Sequence, residues 1–308
     1  MTPEIAIAIF LTIATAATPL LIAALGELVV ERSGVLNLGV EGMMVMGAVT
    51  GFGAAQITGS AYLGLLAAII CGALFSLLFG VLTLSLATNQ VATGLSLTLL
   101  GLGASGMIGE NFIGLPGIKL KAIEIPLLSD IPVIGRLLFA QDLIFYISIL
   151  LTIAIWYFVF KTRAGLTLRS VGDNHTSAHA LGINVLKVRY MAVMFGGACA
   201  GLAGAHLSLV YTPQWTENMT AGRGWIALAL VVFASWRPLR IVAGAYLFGA
   251  VTIAQFHAQA QGVAIPSQLL SSLPYIATII VLVLISTNKR MTMKNTPASL
   301  GKPFVPDR

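Results

Sequence analysis

Long apolar stretches alternate with short polar breaks along most of this chain. The apolar runs are Ile5–Leu25, Leu38–Ile57, Tyr62–Ala87, Val91–Ile108, Leu143–Phe160, Met191–Tyr211, Trp225–Trp236, Ile241–Ala260 and Leu269–Ser286. A helix needs about 20 apolar residues to cross the hydrocarbon core of a bilayer. The pattern therefore predicts an all-α fold: a polytopic membrane helix bundle of about nine transmembrane segments, with eight to ten as the range. The seventh run is short and reads as a broken or re-entrant element. The second begins in a Gly-rich stretch, Gly34 to Gly42, where irregular backbone is expected.

One polar interruption stands apart. Lys161 to Tyr190 reads KTRAGLTLRSVGDNHTSAHALGINVLKVRY and holds five of the seventeen basic residues with a single acid, Asp173. Asp173, Asn174 and Thr176 are N-cap residue types, Ser177 to Leu181 suits a short helix, and Gly182 sits where a glycine ends one. Ile183, Val185 and Leu186 then give an apolar patch before Lys187 and Arg189 mark return to the membrane. A two-turn helix lying flat under the bilayer follows. It is either an amphipathic linker or a docking helix for a motor subunit.

Composition supports the membrane reading. Of 308 residues, 57% are hydrophobic and 9% charged, with a mean hydropathy of +0.94, where soluble domains carry about 25% charge. The net charge of +6 belongs to loops, so it points to membrane orientation and not to nucleic acid. If Lys161–Tyr190 and the C-terminus face the cytosol, that side holds thirteen Lys and Arg and the other side four: Lys119, Lys121, Arg136 and Arg223. The C-terminus is expected inside. Residues 1–288 form one transmembrane domain, and residues 289–308, with Pro297, Pro303 and Pro306, read as a flexible cytosolic tail. The first run lacks a basic leader and reads as a retained span. Cys71 and Cys199 lie inside apolar runs and read as small core residues.

Little here suggests catalysis. No G-x-x-x-x-G-K-[ST] motif occurs, because Gly301-Lys302 is followed by Pro303, so nucleotide binding through a P-loop is not expected. His175 and His179 are spaced i,i+4 without a third ligand, and no metal site is expected. By the run boundaries above, Glu41 is the one acid inside a span. It either caps or meets the interface, or faces a translocation path. Gln255 and His257, near the outer end of the eighth run, either anchor at the interface or line a polar vestibule. Asn37, Glu41, Gln255 and His257 are the solute-path candidates, chosen for polarity at membrane depth. The sixth run is dense in small residues, with Gly197 and Gly201 in GxxxG spacing, which suits close helix packing or a central helix lining a path.

The segment GLTLRSVGDNHTSAHALGINVLKVRY resembles the cytosolic coupling region of permease subunits of ABC importers, in the branch that includes ribose, nucleoside and branched-chain amino-acid permeases. Gly26 to Ala48, Thr216 to Leu239 and Ser272 to Ser286 resemble further blocks of its nucleoside and simple-sugar subgroup. The resemblance implies a multi-pass permease of a prokaryotic inner membrane, not itself an enzyme. Its partners would be a second permease, in this branch often a non-identical one, a separate cytosolic ABC ATPase, and an external solute-binding protein of the basic-membrane-protein type. No cofactor is expected in this chain, ATP and Mg being held by the partner ATPase. Carried over by position, ATPase docking falls on Gly165, Leu168, Arg169, Gly172, Asp173, Asn174, Ala178, Gly182 and Ile183. His175 stands where the subgroup often has proline and His179 where a small or acidic residue is common, which blurs which ATPase is the partner. The implied solute is a nucleoside. The alternatives are a simple sugar on the same architecture and, from another class, an ion-coupled secondary transporter.

Overall fold

A computed structural model describes residues 3–124, 139–260, 267–286 and 295–305. The helices are α1 (Pro3–Arg32), α2 (Val40–Thr58), α3 (Ala61–Gly80), α4 (Gln90–Gly109), α5 (Leu143–Lys161), α6 (Arg163–Asp173), α7 (His175–Ala180), α8 (Val185–His206), α9 (Arg223–Phe233), α10 (Pro238–Ala260) and α11 (Ser267–Ser286). Single π-helical turns at Val81–Ser85 and Leu207–Tyr211 extend α3 and α8. A two-residue antiparallel ladder pairs β1 (Ile123–Glu124) with β2 (Ala140–Gln141), just before α5. Each expected apolar run is a helix. Among the described residues, seven helices are long and apolar enough to cross a membrane, and the seventh run is the short α9 of 11 residues. The protein is a multi-pass, all-α membrane bundle.

α8 is its centre, packing against α1, α2 and α3. The face of small residues explains why. A Cβ at Gly201 would run into the Ala68 carbonyl of α3, and Gly47 of α2 approaches the same glycine from the other side. Backbones in lipid come this close only where side chains are absent, and dispersion between them then holds the helices together. Ser208, in the π turn, donates a hydrogen bond to Ala48 O across the α2 interface at 2.9 Å.

α1 runs seven residues past the expected Leu25, to Arg32. The apolar count stopped there because Glu27 and Glu31 interrupt it, but both carboxyls are 1% exposed. Glu41 is therefore not the one acid within a span. Each has a donor: Asn37 N–H reaches Glu27 Oε1 at 3.3 Å, with Oε2 left without a partner among the described residues, and Trp236 Nε1–H reaches Glu31 Oε2 at 2.6 Å.

Two acids pin α9, Glu41 at its start and Glu31 at its end. At its start, Glu41 of α2 accepts from Thr220 Oγ1 (2.6 Å), Gly222 N–H (2.8 Å) and Gly224 N–H (2.6 Å). That satisfies N–H groups which a helix N-terminus leaves without intrahelical partners, and it places an acid at the positive end of the helix dipole. At its end, Trp236 N–H bonds Val231 O and Ser235 N–H bonds Val232 O, a Schellman turn with Ser235 and Trp236 at φ 51° and 55°. Left-handed backbone disfavours both residues. The Trp236 side chain on Glu31, and its carbonyl on Arg32 Nη2 at 2.9 Å, hold the turn in place.

The C-terminal segment departs from expectation. Residues 295–305 are packed against the turn after α1 and against α6 and α7, with Ser299 and Phe304 buried. Ser299 and Gly301 find backbone acceptors and Phe304 an apolar pocket, so the prolines shape a docked strap rather than a free tail. Residues 289–294 and 306–308 lie outside the described residues.

Candidate functional site

The polar interruption folds into two helices, α6 and α7. Thr162 caps α6: its Oγ1 accepts from Gly165 N–H at 3.0 Å. α6 has 11 residues and is amphipathic, with Gly165, Leu168, Val171 and Gly172 turned inward. It was not expected. The Thr162 cap and the spacing of 165, 168 and 172 are the signals that could have revealed it. Arg169 lies with its guanidinium 5.6 Å from the centre of the Phe160 ring.

α7 follows the expected scheme. Asn174 Oδ1 accepts from Ser177 N–H at 3.0 Å, the N-cap bond. Gly182 lies at φ +81°, its N–H bonds His179 O at 2.9 Å, and Ile183 N–H bonds Ala178 O at 3.1 Å. That pair of bonds is a Schellman ending, and the left-handed position suits glycine because any Cβ would be strained there. Asn184 then caps α8 by accepting from Lys187 N–H at 2.9 Å.

The nine residues assigned to docking divide by burial. Gly165, Leu168, Gly172 and Ala178 face inward and hold the two helices to the bundle. Arg169 and Ile183 are half-buried. Asp173, Asn174 and Gly182 are exposed, beside Thr176, Ser177, His179 and Ala180. Leu181, just past the end of this polar helix and outside the spans, is 81% exposed. His175 is held below its ordinary pKa by burial, with the charges of Arg189 and Lys302 adding to the effect.

The solute-path candidates are not brought together in one constellation. Both Glu41 oxygens serve the N-terminus of α9, which agrees with a capping role across helices. Asn37 Oδ1 accepts from Gly39 N–H at 2.9 Å and shapes the turn into α2. Gln255 is buried and His257, two residues on, is exposed, so α10 presents them in different directions. Two apolar clefts lie elsewhere. One of about 550 Å³ runs between α1, α5, α6 and α8, lined by Val29, Leu151, Phe158, Leu168 and Phe195. One of about 710 Å³ lies between α2, α3 and α4. Among the described residues, no group of three His, Cys, Asp or Glu could hold a metal.

Known proteins share this architecture. A solved structure described as "An inward-facing conformation of a putative metal-chelate type ABC transporter" superposes with a TM-score of 0.53 over 89% of this chain and 84% of that one, at 14% identity, a likeness of fold alone. A "Putative glucose ABC transporter permease protein" of Haloferax volcanii is 41% identical over 87% of this chain and 88% of its own length. The guanosine ABC transporter permease protein of Bacillus subtilis is 38% identical over 76% and 77%. The model of the branched-chain amino acid transport system permease component matches residues 9–286. With nearly the whole bundle matched, the chain belongs to that family of membrane permeases.

Proposed function

We propose that this permease is the membrane subunit of an ATP-driven importer for nucleosides, and that a separate cytosolic ATPase grips it at α7. The observation that carries the coupling reading is α7 itself. It is a two-turn helix capped at both ends, projecting from the bundle on a buried base, with Asp173, Asn174, His179 and Leu181 outward. Its side of the protein is the one with most of the basic residues, which favours a cytosolic face and a cytosolic C-terminus. The expected second permease and external binding protein complete such a system, and ATP and Mg would sit on the ATPase.

The nucleoside reading is supported by the similarity to the guanosine permease. Similarity to the glucose permease favours a second reading, a simple sugar entering by the same architecture. Family membership gives no support to an ion-coupled carrier. Uptake assays in proteoliposomes separate these readings. The permease would be reconstituted with the ATPase and the binding protein of its transporter, with ATP inside, and given labelled guanosine, uridine or glucose outside. ATP-dependent uptake of nucleosides with glucose left outside is the expected result. Glucose uptake alone would favour the sugar reading, and uptake driven by an ion gradient without ATP would refute the importer.

A further inference from the structure

Residues 297–305 are bonded to three elements that converge on α7. Ser299 N–H donates to Gly172 O at 2.9 Å and its hydroxyl to Asp173 O at 3.2 Å, both at the end of α6. Gly301 N–H donates to Gly34 O at 3.1 Å, in the turn that ends α1. The Lys302 carbonyl accepts from Arg189 Nη1 at 3.2 Å, at the start of α8. Phe304, 9% exposed, sits edge-on between the rings of His175 (5.2 Å) and His179 (5.4 Å) and packs with Val171, Ala178 and Val185.

Arg189 is the hub of this arrangement and is fully buried. Its guanidinium serves three segments: Ser33 O from Nε at 3.2 Å, Lys302 O from Nη1, and His175 Nδ1 from Nη2 at 3.2 Å. A guanidinium only donates, so His175 Nδ1 accepts and the imidazole is neutral. The packing of α7 against the rest of the bundle is otherwise small, because it has six residues and Ala178 is its one fully buried side chain. Without the strap, a push on α7 would meet chiefly α6, and the helix could tilt on its base.

We propose that residues 297–305 are a working part of the coupling element: they lock α7 to the ends of α1, α6 and α8, so that a displacement imposed on α7 passes into the central helices of the bundle. This rests on the reading of α7 as the ATPase contact. Phe304 and Arg189 act as positioning residues, setting how α7 moves rather than touching solute or nucleotide.

The test uses the complete transporter in proteoliposomes and compares wild type, Phe304→Ala and Phe304→Leu. Three quantities are read: ATPase retained on the permease, KM for the transported solute, and solute molecules moved per ATP hydrolysed. In Phe304→Ala the ATPase stays bound and KM is unchanged, while transport per ATP falls at least about tenfold, because truncating a buried aromatic costs more than the ~1.4 kcal/mol that a tenfold change represents. Phe304→Leu, which refills the pocket, restores most of it. A second readout needs no pocket mutation: transport per ATP in wild type falls when the interior goes from about pH 7.5 to about pH 5.5, because a protonated His175 loses its acceptor for Arg189. In His175→Asn the ratio is flat over that range. Wild-type transport per ATP in Phe304→Ala, or a pH response identical in His175→Asn, overturns the proposal. Loss of ATPase binding in Phe304→Ala that Phe304→Leu does not rescue also overturns it, since the strap would then serve docking alone. If wild type itself retains no ATPase, the reading of α7 fails, and the proposal with it.

Discussion

Trp236 and Glu31 lie 205 residues apart in sequence and are joined by a hydrogen bond of 2.6 Å from the indole N–H to the carboxyl group. The bond fastens the end of α9 to the end of α1, next to the turn where the C-terminal strap is docked. Trp236→Phe leaves the carboxyl buried without its donor, at a cost of about 1–3 kcal/mol. The thermal midpoint of the purified permease in detergent should fall accordingly. An unchanged midpoint would show the bond to be dispensable.

Glu41 performs the matching task at the other end of α9. Glu41→Ala removes the acceptor for Thr220, Gly222 and Gly224 at once. The orphaned donors should cost about 2–4 kcal/mol. Glu41→Gln is expected to lose less, since one acceptor oxygen remains. Hydrogen exchange over residues 220–233 should quicken in that order. Equal protection in all three proteins would contradict the capping role.

Much of this was legible in the sequence, and the failures share one cause. The spans were readable because apolar runs of the required length leave few alternatives in a bilayer. α7 was readable because Asn174 and Gly182 are local signals whose action depends on near neighbours. Glu27 and Glu31 were missed because an acid ends an apolar run in a residue-by-residue count, while its burial depends on Asn37 and Trp236, donors from elsewhere in the chain. The strap was missed for the same reason: its prolines and charges read as solvent-facing, and its partners, Gly34, Gly172 and Arg189, lie at least 113 residues away.

Gly182 offers a test of backbone alone. A Cβ built there meets nothing within 4 Å, so Gly182→Val adds no clash and acts through its φ of +81°. The strain should cost about 1–2 kcal/mol, and Gly182→Asn should cost less because asparagine tolerates this region. Membrane insertion should be normal in both. Transport per ATP should fall in the valine variant and be largely kept in the asparagine variant. Wild-type coupling in Gly182→Val would argue against a role for the Schellman ending.

The strap should respond to pH with a defined sign. Burial, then the charges of Arg189 on α8 and Lys302 on the strap, hold His175 below its ordinary value, and His179 of its own helix sits across Phe304. The folded pKa is thus lower than the unfolded one. Between the two values the unfolded segment binds more protons, so docking grows stronger as pH rises. The stabilisation is fully present above about pH 6.5 and is lost as pH falls through that value towards the folded pKa. Limited proteolysis of the strap should accelerate over that interval. A protection that grew on acidification would reverse the assignment.

If the ATPase holds this permease at α7, as proposed, cysteine cross-linking on the assembled transporter will trap the two together there. Single cysteines would be placed at Thr176 and Leu181 on the exposed face of α7, and at Leu115 in the exposed loop after α4. A short thiol-reactive cross-linker should join the ATPase to positions 176 and 181, with yields that change when ATP is bound, and leave position 115 unlinked. Cross-linking at 115, or none at 176 and 181 while the ATPase remains bound, would place the ATPase contact elsewhere than α7.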